Sequence, residues 1–142
     1  MIDEKSNLIE GERALGRYTV SILQQTASGW SPAMLQLDAM ATNYRLLLRP
    51  LRKSYSPASL PARWIDGIYT MYKGKHQCVG LSLTTSDWLY LLPSTGRLDY
   101  FFEDIRMMKL PPPRFSFDST IARRDIERLI TFFGREPRQE RI

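Results

Sequence analysis

Six runs of alternating apolar and polar residues, no helical pattern between them, and a change to three- and four-residue apolar spacing near Leu98 predict a mainly β (α+β) fold. The strands follow one another without intervening helices, so the sheet is expected to be hairpin-built and antiparallel rather than parallel. The expected architecture is an antiparallel β-barrel or sandwich of six short strands closed by helices. A chain of 142 residues suffices for one core, and 43% hydrophobic with 25% charged residues excludes global disorder.

The first run carries Ala14, Tyr18, Val20 and Ile22 at even positions, with Arg17, Thr19 and Ser21 between them. Small and turn-forming residues from Ala27 to Pro32 break it. The second run sets Leu35, Leu37, Ala39 and Ala41 on one face. Asn43, which tolerates positive φ, is expected in a tight turn before Tyr44–Leu51. In that third run Tyr44, Leu46 and Leu48 face one way and Arg45, Leu47 and Arg49 the other; Pro50 ends it or marks an edge. Residues 52–61 read as a Ser-, Pro- and Arg/Lys-containing loop. The fourth run, Trp64–Tyr72, is interrupted at Asp66-Gly67, where glycine permits a bulge. A basic turn at Lys73–His76 and a turn at Thr85–Asp87 bracket the fifth run, Cys78–Thr84, with Val79, Leu81 and Leu83 inward. The sixth is Trp88–Leu92.

Leu98, Phe101, Phe102, Ile105 and Met108 then describe one stripe of a helix, with Ser94 or Thr95 as its expected cap and Pro111–Pro113 as its stop. A second helix is expected over Asp118–Phe133, closed by Gly134. The organisation is a lead at 1–9, a β-rich domain at 10–109, a Pro-rich connector at 110–117, the additional helix at 118–134 and a charged tail at 135–142.

One cysteine, Cys78, precludes an intrachain disulfide, and with a single histidine, His76, no His/Cys metal set can form. His76 and Cys78 share a strand face, but no acid or oxyanion donor accompanies them, so the pair is read as structural and no catalytic residue is assigned. No phosphate loop, nucleophile elbow, signal segment or membrane-length apolar run occurs, which points to a cytoplasmic chain needing no cofactor.

Thr42-Asn43-Tyr44-Arg45-Leu46 resembles the T-N-x-R-L turn of GRAM domains, members of the pleckstrin-homology (PH) superfamily. Gly11-Glu12-Arg13-Ala14-Leu15 is similar to the G-E-x-x-L that opens them, and Ser59-Leu60-Pro61 with Ile65 resembles their I-P-x-x-x-I stretch. The resemblance spans about Glu10–Lys109 and implies a seven-stranded bent sandwich closed by a helix. It also implies a binding module rather than an enzyme. Phosphoinositide-binding relatives carry basic residues in their first loop; Gln24–Ser31 has none.

The net charge of +5 favours anionic partners in general. The candidate anion- or lipid-binding residues are Arg45, Arg49, Arg52, Lys53 and Arg63, with Lys73 and Lys75 in a second basic turn. Trp30, read as a loop residue, is the candidate interface anchor. A protein partner or self-association is the first expected role. Peripheral binding to anionic membrane lipid is the alternative, and nucleic acid ranks third because acids interleave the C-terminal arginines.

Overall fold

The computed structural model describes residues 8–9, 11–51 and 58–109. The connector, the additional helix expected over Asp118–Phe133, the tail, Arg52 and Lys53 lie outside the described residues. The rest is mainly β, with one helix near its C-terminal end. Seven strands form one antiparallel sheet: β1 (Ala14–Thr26), β2 (Gly29–Thr42), β3 (Arg45–Pro50), β4 (Ala58–Pro61), β5 (Ile65–Lys73), β6 (His76–Leu83) and β7 (Trp88–Pro93). Their order is β4-β3-β2-β1-β7-β6-β5, and α1 (Leu98–Arg106) follows β7.

Most inward faces follow the expected alternation, but Ala14 is exposed and Tyr44 lies outside the core. Val20, Ile22, Leu37, Ala39, Ala41, Leu46, Leu48, Val79, Leu81, Leu83, Leu89 and Leu91 share one core. From α1, Phe101 and Ile105 fill it, while Leu98, Phe102 and Met108 pack at its margin. The irregularity expected at Asp66-Gly67 is a register shift between Ile65 and Gly67 against β6.

Four local expectations need correction. The sheet has seven strands, the upper end of the expected six to seven, and the one beyond the six clear runs is β4, at the end of the segment expected to be a loop. Four residues with a proline at the end carry too little periodicity to read, yet Pro61 is tolerated because β4 is an end strand. The break expected over Ala27–Pro32 is only the Ala27-Ser28 turn, with Gly29 at φ +118°. Thr26 closes it, its hydroxyl donating to the Gly29 carbonyl at 2.8 Å. Trp30, Ser31 and Pro32 therefore belong to β2. Pro32 fits there because the β2–β3 ladder covers only Leu37–Ala41. Asn43 has no positive φ; Ser86, in the Thr85–Asp87 turn, is the one non-glycine with that geometry among the described residues. Finally, α1 begins after Arg97 with no side-chain cap, so neither Ser94 nor Thr95 caps it.

The helix is held by more than apolar burial. The Tyr18 ring lies 4.9 Å from Phe101, and its hydroxyl donates to the Asp104 carboxylate. Glycine is required at 16 because a Cβ there would meet the Tyr18 hydroxyl at 2.7 Å. Burial, then the Asp104 bond and charge, push the Tyr18 phenol up to about 12 from 10.0. A folded-state pKa above the unfolded one means the native state holds its proton more tightly. Tyr18 should therefore contribute fully below pH 10 and lose its contribution as pH rises from about 10 to about 12. Urea midpoints across that interval should fall less steeply in Tyr18→Phe than in the wild type; equal slopes would remove Tyr18 as the responsible group.

Candidate functional site

The residues that carry the sequence motifs meet in one buried polar node. Glu12, its side chain fully buried, receives Arg45 Nε on Oε2 at 2.9 Å and Arg45 Nη2 on Oε1 at 3.1 Å. The Thr42 hydroxyl donates to Oε2 at 2.6 Å, and the Ile9 amide to Oε1 at 3.1 Å. Arg45 Nη1 continues to the Ser59 hydroxyl of β4 at 3.2 Å. Asn43 adds a second tie: its Oδ1 accepts from the Arg13 amide at 2.9 Å and its Nδ2 donates to the Gly11 carbonyl at 3.0 Å. Its own carbonyl accepts from the Lys109 amide at 2.7 Å. Asn is therefore used at 43 for its two-sided amide.

The candidate anion-binding arginines that lie among the described residues each engage a neighbour. Arg45 is an internal ion-pair partner. Arg49 lies 2.9 Å from Asp38, which Arg17 also reaches at 2.5 Å, so one carboxylate sits between two guanidinium groups. Arg63 stacks over Trp64 at 5.9 Å. Arg45, Arg49 and Arg63 thus have three different partners: Glu12, Asp38 and the Trp64 ring. Lys73 instead lies over two rings, 5.0 Å from Trp30 and 4.6 Å from Tyr90, while Lys75 is exposed in the β5–β6 turn.

Lys73 belongs to an aromatic row that the sequence reading did not assemble. Trp30 meets Tyr90 edge-on at 5.3 Å, Tyr90 stacks with Trp88 at 5.9 Å, and Trp88 meets Tyr69 at 5.6 Å. Strand parity was the available signal: residues 88 and 90 face away from Leu89 and Leu91. What was missing was the β5-β6-β7 adjacency that brings Tyr69 across Gly80. Gly80 pairs with Tyr69 on one side and Tyr90 on the other, so the row crosses β6 at that residue.

The second feature is an open cleft of about 480 Å³ between the outer face of β1 and β7, the start of β6 and the loop into α1. Thr19, Ser21, Gln36, His76, Gln77 and Thr95 line it with hydroxyl, amide and imidazole groups. Cys78 is not part of it: the thiol is fully buried, and burial, opposed by the smaller Lys73 effect, raises its pKa to about 11. A buried thiol of that pKa is a poor nucleophile at neutral pH. Among the described residues no three His, Cys, Asp or Glu side chains cluster to hold a metal, and no helix is long and apolar enough to cross a membrane.

The two arginines of β3 should behave differently on substitution. Arg45→Met leaves the Glu12 carboxylate buried without its guanidinium and should destabilise by about 3–5 kcal/mol in urea unfolding. Arg49→Met should cost about 1 kcal/mol or less, because its pair is solvent-exposed on the arginine side. Similar losses at both positions would remove the distinction. No protein-family model matches the chain, and no curated protein matches it.

Proposed function

We propose that the chain is a non-catalytic, PH/GRAM-like module that docks a protein partner through the aromatic row on the outer face of β5–β7. The carrying observation is that row's exposure: Tyr69 is 48% and Trp88 39% accessible although both rings are packed side by side. Stacked Trp and Tyr side chains held ready on a sheet present large contact area at little entropic cost and dominate many protein interfaces. The PH-like reading is supported by seven antiparallel strands followed by a helix, and by the Gly11–Leu15 and Thr42–Leu46 resemblance.

The test is quantitative capture followed by a binding isotherm. A protein retained by the wild type should bind Tyr69→Ser/Trp88→Ser at least tenfold more weakly, about 1.4 kcal/mol, with unchanged thermal unfolding of the module. Retention that ignores this double change overturns the aromatic row as the docking surface.

A membrane reading is favoured by a separate observation. Residues 18–37 and 67–86 contain no Asp or Glu, Met34 in β2 is 100% exposed, and Tyr72, 66% exposed, precedes Lys73 and Lys75 in sequence. The β1–β2 and β5–β6 hairpins adjoin, since a Cβ on Gly74 would lie 3.5 Å from that of Trp30. An acid-free end bearing Trp, Tyr, Met and Lys suits an anionic bilayer interface. Co-sedimentation with phosphatidylserine-containing vesicles that weakens with salt and is lost in Met34→Ser/Lys75→Ser selects this reading; no sedimentation removes it.

A further inference from the structure

We infer that the cleft beside β1 and β7 is a binding site for a neutral, polyhydroxylated ligand of the saccharide class. The inference does not depend on the protein-docking proposal, because the cleft and the aromatic row are lined by different residues. It rests on the chemistry of the lining and on hydrogen-bonding capacity that the fold leaves unused.

Thr19, Ser21, Gln36, His76, Gln77 and Thr95 converge on the cleft, and none of these side chains makes a hydrogen bond to the protein among the described residues. Four separate chain segments supply them: Thr19 and Ser21 from β1, Gln36 from β2, His76 and Gln77 from β6, and Thr95 from the loop after β7. Ser21 is 8% accessible, and its hydroxyl is not among the buried unpartnered atoms, so it remains open to the cleft. Thr95, well placed in sequence to cap α1, leaves that role unfilled. Ser94 differs, its hydroxyl lying 3.4 Å from the Thr19 carbonyl that its amide also engages.

The lining decides the ligand by exclusion. No Asp, Glu, Lys or Arg lines the cleft, and His76 is its one titratable side chain. A strongly charged ligand would give up water for no opposing charge. A purely apolar ligand would cover six hydroxyl, amide and imidazole groups and leave them unsatisfied, which costs more than leaving them hydrated. Leu92, Pro93 and Leu98 nevertheless add apolar surface to the lining. A ligand with a hydroxyl-rich edge and a C–H face meets both demands, and hydroxyls and amides both donate and accept. A pyranose ring has that shape and polarity. Such a site also discriminates, because a deoxy analogue leaves a protein group without its partner.

The experiment uses the full chain labelled with nitrogen-15 and a panel of neutral trisaccharides: maltotriose, cellotriose and tri-N-acetylchitotriose. Each is titrated to about 10 mM, enough to reveal a Kd of about 1 mM. At least one should shift the amides of Ser21, Gln36, Gln77 and Thr95 together, saturably and equally at low and high salt. Gln36→Ala/Gln77→Ala changes two exposed positions and should fold as the wild type does, with affinity lower by about tenfold. Failure of every trisaccharide to shift these amides overturns the inference. So does binding that maps to Trp30 and Trp88, binding that salt abolishes, or binding unaffected by the double substitution. Failure of the protein-docking proposal changes none of these readouts.

Discussion

The buried pair between Glu12 and Arg45 is the interaction on which the arrangement depends. A carboxylate taken wholly out of water requires its hydrogen bonds to be made inside the protein, and here both oxygens receive two donors each. Those donors come from different places: Ile9 in the chain preceding β1, Thr42 at the end of β2 and Arg45 at the start of β3. Through Ser59 the same guanidinium reaches β4. Asn43, between the two donors, ties Gly11 and Arg13 on one side and Lys109 beyond α1 on the other. One node thus fixes the entry to β1, the β2–β3 turn, an end strand and the exit from the helix.

That node also gives Arg45, one of the candidate anion-binding residues, an internal partner. Within Gly11-Glu12 and Thr42–Leu46, the side chains of Glu12, Thr42, Asn43 and Arg45 each fill a defined place in the buried network. A basic residue inside such a pattern invites a ligand, but Arg45 carries its counter-ion with it. Arg49 and Arg17 converge on Asp38 in the same manner, at the surface. Sequence alone counts these charges; it does not tell which are paired across strands, because Glu12 and Arg45 lie 33 residues apart.

Other features were legible in proportion to how local they are. The inward faces of β2, β3, β6 and β7 follow from period-2 burial, and the α1 stripe follows from the position of Phe101 and Ile105. The bulge at Gly67 needed only the glycine and the broken alternation. By contrast, β4 exists through its pairing of Arg45–Leu48 with Ala58–Pro61, a partner that no run of four residues announces. The β1–β2 hairpin was truncated in the reading because Gly29, Ser31 and Pro32 are turn formers by type. Pairing of Trp30 with Gln25 and of Pro32 with Leu23 overrides those preferences.

The two proposed recognition surfaces share a cause in β7. Its inner face gives Leu89 and Leu91 to the core, which commits Trp88, Tyr90 and Leu92 to the outside. Along that outer edge the chemistry changes from stacked rings to the lining of the cleft. The change coincides with the short β1–β7 ladder, which pairs only Val20–Ile22 with Leu91–Pro93. Where β1 is paired, its outward Thr19 and Ser21 stand beside Leu92 and form the polar cleft. Beyond that ladder Trp30 packs on Tyr90 and the surface becomes aromatic. Substitutions at 88 or 90 in β7 and at 19 or 21 in β1 therefore act on different chemistries of the outer sheet face, while the core on the other side stays the same.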